Sequence, residues 1–511
     1  MEIDFRLSQI RPRRVQSVTT RVLEGRWLYF AVAATGLVLH LWLALSIYQW
    51  YDRLLAWVPL IILLFLLRQY VRQSYKSIPL LVLVALQIYI FFSLPQFSQE
   101  DLALTMGEIY LPTDRGITMA MLLTIGGELI FILGFWLATA LAGKIPNVFQ
   151  KISRTPTPNW TGVVKLYSLL AFTVYTTATI TVGYLPVSIR YLTTQLFNVY
   201  LALAILLYLG HSFRKKRLLM TANALALGMS FVGLIQGMLT AIVGPLVLLF
   251  LARWVWGRVF GVRWVVIGLL AVVFINPVKN QFRLLPSWVN PDVSSFALAQ
   301  ARLKDWSLAL DAVWIEGDVE KSVYMSTASR ASDLLSFAQT VDYVPDRVSF
   351  NEGEGMNDAV LFWIPRILWP SKGSTTDLIY NRYAVTFGYL DPEDVGITAV
   401  GISVFAEGYW NFGLTGVALF LFASGLLLGF VFGNNGKTEQ ISTLVCIVYV
   451  APTILVLQAL SVTLAAIPSF IIGVTIALRG LSIAARLLNP SVASANHRPT
   501  FTRSGHISLT S

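Results

Sequence analysis

Long runs of apolar residues, separated by short polar segments, dominate the chain. A helix that crosses a bilayer needs ~20 mainly apolar residues, because the hydrocarbon core is ~30 Å thick. Twelve runs approach this length and predict spans at 27–47, 54–67, 78–95, 117–142, 163–185, 193–210, 218–236, 239–256, 263–276, 411–433, 441–461 and 464–484. The pattern therefore predicts an all-α polytopic membrane protein with about twelve transmembrane helices.

The amino-acid composition narrows the classes of protein further. Of 511 residues, 56% are hydrophobic and only 13% are charged, and the mean hydropathy is +0.66. Soluble globular proteins average roughly 25% charged residues, so this composition excludes a cytosolic enzyme, a disordered chain, a collagen and a secreted disulfide scaffold. Cys446 is the only cysteine and the four histidines are scattered, so we expect no intrachain disulfide and no metal or other cofactor.

The positions of lysine and arginine predict the orientation in the membrane. With a cytoplasmic N-terminus, 25 of the 38 Lys and Arg fall in inside segments, and the short outside loops hold only Arg53, Arg115 and Arg190. Because Lys and Arg in short loops favour the cytoplasmic side, we predict that both termini are cytoplasmic. Topology thus accounts for the net charge of +11, and no nucleic-acid partner is expected.

The predicted spans divide the chain into five parts. A basic cytoplasmic N-terminus (1–26) precedes transmembrane helices one to nine (27–276). A large extracytoplasmic loop (277–396) then separates these from transmembrane helices ten to twelve (397–484). The Ser/Thr/Asn-rich tail (485–511) is predicted to be disordered and cytoplasmic.

The large loop is predicted to be a folded cap rather than a linker. It carries ten Lys and Arg against sixteen Asp and Glu, which gives it a net charge of −6. Apolar residues recur at helical spacing over 297–315 and 322–342, and each stretch predicts an amphipathic helix.

Within the predicted spans, Glu128 is the clearest polar exception. A carboxylate in the hydrocarbon core is costly, so Glu128 indicates either a functional acid or a neutral side chain that pairs helices. Two GxxxG pairs, Gly233/Gly237 and Gly425/Gly429, predict close helix packing.

Candidate chemistry is concentrated in four segments between Arg330 and Gly416. They are a predicted glycine-acid turn, SFNEGEG (349–355), followed by IPRILWPSK (364–372), NRYAVTFG (381–388) and EGYWNFGLTG (407–416).

Arg366 is the strongest candidate for binding an anion in the loop. It lies in IPRILWPSK between apolar residues, and two prolines restrict the local backbone. A guanidinium binds phosphate oxygens in a bidentate manner. Lys372, Arg382 and Arg330 supply further cations, although each arginine has the alternative of an ion pair with a nearby acid such as Asp358.

Glu407 is the candidate general base. It lies at the outer end of the tenth predicted span, in EGYWNFGLTG, together with Tyr409 and Asn411. The alternative is a carboxylate that stabilises a helix N-terminus. Tyr409 and Trp369 are of a kind that stacks on sugar faces or forms an interfacial aromatic belt.

These segments resemble the O-antigen polymerase family, the bacterial oligosaccharide repeat-unit polymerases. The similarity is carried by IPRILWPSK, by NRYAVTFG and by the Glu-x-Tyr-x-Asn-Phe-Gly segment that enters a late membrane helix, and it is strongest over about 330–430. Over the first nine spans it is a similarity of topology alone.

The resemblance implies a fold similar to the membrane-embedded C-type glycosyltransferases, in the bacterial cytoplasmic membrane. It implies transfer of a growing glycan from one polyprenyl diphosphate carrier to a second lipid-linked repeat unit, with a chain-length regulator and a flippase as partners. The diphosphate-binding role falls on Arg366, with Arg330, Lys372 and Arg382 in support. Glu407 takes the acid position.

Three other functions remain open from the sequence. The first is an O-antigen ligase. The related ligases are associated with a histidine in this loop, and residues 277–396 contain none, so a ligase is disfavoured. A transporter or flippase of lipid-linked sugars would account for the span count and for Glu128, but no internal repeat is evident. A non-catalytic partner in a polysaccharide export assembly is the third alternative.

Overall fold

The structure is a computed structural model. It describes residues 29–30, 32–38, 50–72, 80–93, 112–142, 160–180, 193, 197–212, 214–255, 274–289, 295–315, 317, 319, 322–323, 333–364, 368–369, 379–394, 401–433, 459–465 and 479. The described chain is helical and contains no β-strand within these ranges.

The helices follow one another along the chain with connections of very different length. In order they are α1 (Trp50–Arg72), α2 (Leu80–Ile88, extended by a π-helical turn at Tyr89–Ser93), α3 (Asp114–Ala142), α4 (Trp160–Ile180), α5 (Val199–Ser212), α6 (Lys216–Gln236), α7 (Leu239–Val255), α8 (Pro286–Val289), α9 (Ser295–Trp314), α10 (Asp333–Tyr343), α11 (Glu354–Leu361), α12 (Asn381–Thr386) and α13 (Val404–Gly433). A short 3₁₀ turn, Pro392–Asp394, precedes α13.

One group of helices contains α1, α2, α3, α10, α12 and α13, which share a hydrophobic core. The most extensive packing between two helices of this group is that between α3 and α13. Glycines allow this close approach: a Cβ at Gly425 or Gly429 would overlap the backbone of Phe131 or Phe135 on α3. The close packing predicted from the Gly425/Gly429 pair is therefore confirmed.

A second group contains α4 to α7, whose apolar faces form a separate core. Beside it, α7 and α9 pack on the helical residues 274–282. The last carbonyl groups of a helix have no N–H partner within the helix, and side chains from α9 donate hydrogen bonds to two such carbonyl groups of α6. The indole of Trp306 donates to Leu234 O at 2.7 Å, and Arg302 donates to Ile235 O at 3.0 Å.

Four helices are long and apolar enough to cross a membrane: Trp50–Arg72, Asp114–Leu141, Lys216–Gln236 and Val404–Phe430. Shorter apolar helices occupy Leu80–Ser93, Val199–His211 and Ala241–Phe250. This agrees with a helical membrane protein, and the count of twelve spans stays a prediction. The predicted spans 263–276, 441–461 and 464–484 lie almost wholly outside the described residues.

The two amphipathic helices predicted for the cap have different outcomes. Residues 297–315 correspond to α9 and are confirmed as helix. Of 322–342, the second half forms α10, and residues 324–332 lie outside the described part of the chain. The tenth span was predicted to begin at 411, whereas α13 begins at Val404 and so includes Glu407.

Candidate functional site around Glu407

Glu407 is buried in the first part of α13, with only 3% of its surface exposed. Its carboxylate accepts the backbone N–H of Leu460 at 2.6 Å and the N–H of Ser461 at 3.4 Å. The hydroxyl of Ser461 also donates to it. These two backbone donors belong to the start of the helical residues 460–465, where N–H groups have no partner within the helix. Glu407 therefore joins α13 to a segment far along the chain.

Asn411 fastens a second segment to α13, one turn beyond Glu407. Its side-chain N–H donates to Glu407 O at 2.8 Å. Its side-chain oxygen accepts from Gly353 N at 2.8 Å and from Asn351 Nδ2 at 3.1 Å. Asn351 N in turn donates to Trp410 O at 2.9 Å. Three hydrogen bonds thus hold the 349–355 turn against α13: two to the Asn411 side chain and one to the backbone of Trp410.

Glycines let the 349–355 turn lie this close. Gly353 has φ +86°, a left-handed conformation, and a Cβ there would meet the Phe412 ring at 3.1 Å. At Gly355 an added Cβ would lie 3.7 Å from Glu407 Oε1. The glycine-acid turn predicted from SFNEGEG therefore covers the carboxylate of Glu407.

The α13 helix breaks directly after Asn411. Phe412 and Gly413 leave helical geometry, and Gly413 has φ 62° and ψ −141°, which glycine adopts without strain. Across the break, a Cβ at Gly408 would lie 2.9 Å from Gly416 O. The break lets Asn411 and Glu407 face the turn while the rest of α13 continues along α3.

Arg382, on α12, lies beside the same turn in a pair of ion pairs. One guanidinium nitrogen is 3.1 Å from Glu354 Oε2 and the other is 2.8 Å from Asp358 Oδ2. The ion-pair alternative for this arginine is therefore observed with Asp358. Its predicted contact with substrate stays a prediction.

An open cleft of about 270 Å³ lies over the turn. It is lined by Val348, Ser349, Phe350, Asn351, Glu352, Glu354, Arg382, Thr386 and Trp410. Three of the four segments with candidate chemistry therefore meet here: 349–355, 381–388 and 407–416 each contribute residues to the lining of the cleft.

Trp410, which lines the cleft, belongs to a cluster of aromatic side chains. Trp410 packs against Tyr383 and Phe387, with ring centroids 5.7 and 5.5 Å away. Burial raises the pKa of Tyr383 to about 12. Burial, and to a smaller extent the charge of Glu407, raise the pKa of Tyr380. Both phenols are therefore neutral hydrogen-bond donors at physiological pH.

Two other predicted site residues, Tyr409 and Trp369, are not among the residues that line the cleft. Tyr409 is half-buried and its ring contacts that of Phe337, on the α10 side. Trp369 is half-buried. The three other predicted cations, Arg330, Arg366 and Lys372, lie outside the described residues.

Sequence reasoning missed two residues of this site. Asn351 lies within SFNEGEG, but the prediction for that segment used only its glycines and acids. Ser461 had no signal at all, because its contact with Glu407 joins residues 54 positions apart.

Glu128, on α3, is buried with 1% exposure. Neither oxygen of its carboxyl group has a hydrogen-bond partner among the described residues. Its neighbour Gly127 lies against Phe405 and Leu421 of α13. Glu128 thus lies inside the helix group that carries the candidate site, and the structure places no ion pair on it within the described ranges.

Within the described ranges, no group of three or more His, Cys, Asp or Glu side chains is arranged to hold a metal ion. In the comparison with known proteins, a family model described as a domain of unknown function (DUF8712) matches residues 148–448. The matched region includes the 349–355 turn, α12 and α13. No curated protein and no solved structure matches the chain.

Proposed function

We propose that this chain, which belongs to the DUF8712 family, is a membrane glycosyltransferase that polymerises oligosaccharide repeat units linked to polyprenyl diphosphate. In this proposal it acts on the outer face of the bacterial cytoplasmic membrane, with both termini in the cytoplasm. The first nine predicted spans and the last three hold it in the bilayer, and the lipid tails of its substrates lie between the helices.

The observation that carries the proposal is the buried carboxylate of Glu407 next to an open polar cleft. The carboxylate lies in a helix of membrane-spanning length and contacts the 349–355 turn. The cleft over this turn is lined by hydroxyl, amide, acidic and aromatic side chains. Such lining suits hydroxyl-rich molecules, and a carboxylate is a suitable base for a sugar hydroxyl.

The proposed reaction exchanges one bond at the anomeric carbon of the donor sugar. The acceptor hydroxyl oxygen bonds to that carbon, while the bond from the carbon to the diphosphate breaks. The diphosphate leaves with the bonding electrons, and Arg366, supported by Lys372 and Arg330, stabilises its negative charge. The hydroxyl proton passes to Glu407.

The 349–355 turn has to shift before an acceptor hydroxyl reaches Glu407, because Gly355 lies against the carboxylate. The turn is held through Asn411, and it contains glycines at 353 and 355 that leave its backbone free to rearrange. In the proposed cycle, acceptor binding in the cleft and exposure of Glu407 are therefore coupled.

Glycan profiling of cells tests the proposal. Cells of the source organism that lack the protein are complemented with wild type or with Arg366→Ala, and membrane expression of each is verified. We expect single lipid-linked repeat units in place of long polymer in the null strain and in the Arg366→Ala strain, because the diphosphate charge is no longer stabilised. Normal polymer in the null strain would remove the proposed function, and normal polymer with Arg366→Ala would remove only the role of Arg366.

Glu128 supports a second candidate function, transport of a lipid-linked sugar. A buried carboxyl group in a helix of spanning length, with no hydrogen-bond partner in the described chain, is typical of sites that carry protons or ions. Such a transporter would tolerate changes at the outer rim of the molecule better than a change at Glu128.

The variant Glu128→Gln separates the two candidates. It keeps the shape of the side chain and removes its ability to ionise. For a polymerase we expect near-normal polymer length, because Glu128 is not among the residues that line the cleft. A transporter is expected to lose flux instead, which would be measured as lipid-linked repeat units that stay protected inside right-side-out membrane vesicles.

A further inference from the structure

The neutral polar groups of the cleft suit a carbohydrate. Ser349 and Thr386 are exposed, and each presents a hydroxyl that donates and accepts hydrogen bonds. Phe350 adds an exposed aromatic ring at the rim. Aromatic faces next to hydroxyl groups match the alternating apolar and polar surfaces of a sugar ring.

Trp410 provides an independent indication of a ligand. It lines the cleft, it is only 5% exposed, and its indole N–H has no hydrogen-bond partner within the described residues. A buried donor without a partner is costly, by about 1–3 kcal/mol. The indole nitrogen is itself buried, so a ligand oxygen removes this cost only after the site opens.

The charges of the cleft disfavour a phosphate group. Glu352 and Glu354 both line it, and Arg382 is the one cation among its lining residues. Both terminal nitrogens of Arg382 already face carboxylates, those of Glu354 and Asp358. Three carboxylates against one guanidinium leave a negative field, and an incoming diphosphate would have to displace them.

We propose that this cleft binds the uncharged, hydroxyl-rich end of the acceptor glycan and excludes the diphosphate of the donor. The proposal rests on the proposed function, because it assigns the cleft to one of the two substrates of that reaction. It places the acceptor next to Glu407, where its hydroxyl loses a proton. It also changes the role of Arg382, which organises the acidic rim of the cleft through Glu354 and Asp358.

Binding to the full-length protein in detergent tests this assignment. Oligosaccharides released by mild acid from the lipid-linked pool of the source cells are separated by anion exchange into neutral and acidic fractions. Inorganic pyrophosphate is the third probe. We expect the neutral fraction to bind wild type most tightly, as measured by saturation-transfer NMR and calorimetry, and pyrophosphate to bind weakly or not at all.

The double variant Glu352→Gln/Glu354→Gln is expected to tighten pyrophosphate binding about three- to tenfold, because it removes two charges and releases one contact of Arg382. Its binding of the neutral fraction should change far less. Glu393→Gln, an exposed acid outside the cleft, is the matched control and should change neither. Thr386→Val should weaken the neutral fraction alone, because it removes only a hydroxyl.

Three results would overturn the proposal: a neutral fraction that does not bind, pyrophosphate or the acidic fraction binding more tightly than the neutral one, or a double variant with an unchanged preference. The outcome is separable from that of the proposed function. Polymer loss in the null strain together with tight pyrophosphate binding would keep the polymerase and remove this assignment. Selective binding of neutral glycan together with normal polymer in the null strain would keep a carbohydrate site in the cleft and remove both the polymerase and the acceptor role.

Discussion

Cells that carry Glu407→Gln are expected to make about 10²- to 10⁴-fold less polymer than wild type while they accumulate single lipid-linked repeat units. The amide is close in size to the carboxylate, and its oxygen still accepts the N–H of Leu460. It cannot accept a proton from a sugar hydroxyl, so the proposed base is lost while most of the local packing is kept. Glycan profiling and a pulse-chase of the lipid-linked pool measure the effect.

The main competing interpretation is that Glu407 only joins α13 to residues 459–465. Ser461→Ala distinguishes the two, because it removes the hydroxyl donor and leaves the carboxylate in place. A purely structural role predicts a lower unfolding temperature for both variants and a loss of polymer in proportion to the loss of folded protein. Folded, normally abundant Glu407→Gln with wild-type polymer would show that this carboxylate is not the base.

Gly416→Ala is expected to prevent α13 from adopting its broken conformation. A Cβ at position 416 would overlap the carbonyl oxygen of Gly408, and both atoms belong to backbone that is held on either side of the break. Overpacking of this kind costs about 1–3 kcal/mol or more. We expect a lower thermal midpoint in detergent and less monodisperse protein after extraction, because the neighbouring segment that carries Glu407 and Asn411 moves.

Gly126→Ala is the matched control for this variant. Gly126 also lies in a helix of spanning length, but a Cβ there would meet nothing within 4 Å. An alanine in a helix is favoured over glycine by about 0.5–1 kcal/mol, so this variant should be as stable as wild type or more stable. Equal thermal midpoints for the two variants would show that the contact between Gly408 and Gly416 is not important for stability.

The apolar pattern predicted the long helices well, because a run of apolar residues has few alternatives to a helix when its backbone polar groups must be satisfied in lipid. The run at 117–142 corresponds to α3, and 218–236 to α6. The break at Phe412 and Gly413 was not predicted. The hydrophobicity of an apolar run is the same whether the helix is broken or straight, so this pattern does not show where the backbone leaves helical geometry.

The site was predictable in part, for a physical reason that differs between residues. Glu407 and Asn411 stand out because a polar residue at the end of an apolar run must find partners. The turn at 349–355 stands out because of its glycines. Their contact with one another could not be predicted, since Asn411 and Gly353 are 58 positions apart and nothing in either segment specifies the other. The same holds for Ser461.

The contact between Glu407 and Leu460 also bears on the order in which the protein assembles in the membrane. The donors of the carboxylate lie 53 and 54 residues later in the chain, so α13 is synthesised before its partners exist. Until they arrive, the carboxylate must stay in water or carry a proton, because an unpaired charge in hydrocarbon is costly. Before residues 459–465 are in place, the start of α13 therefore either stays at the membrane surface or enters the membrane with a protonated carboxyl group. Completion of the candidate site is in this way tied to completion of the chain.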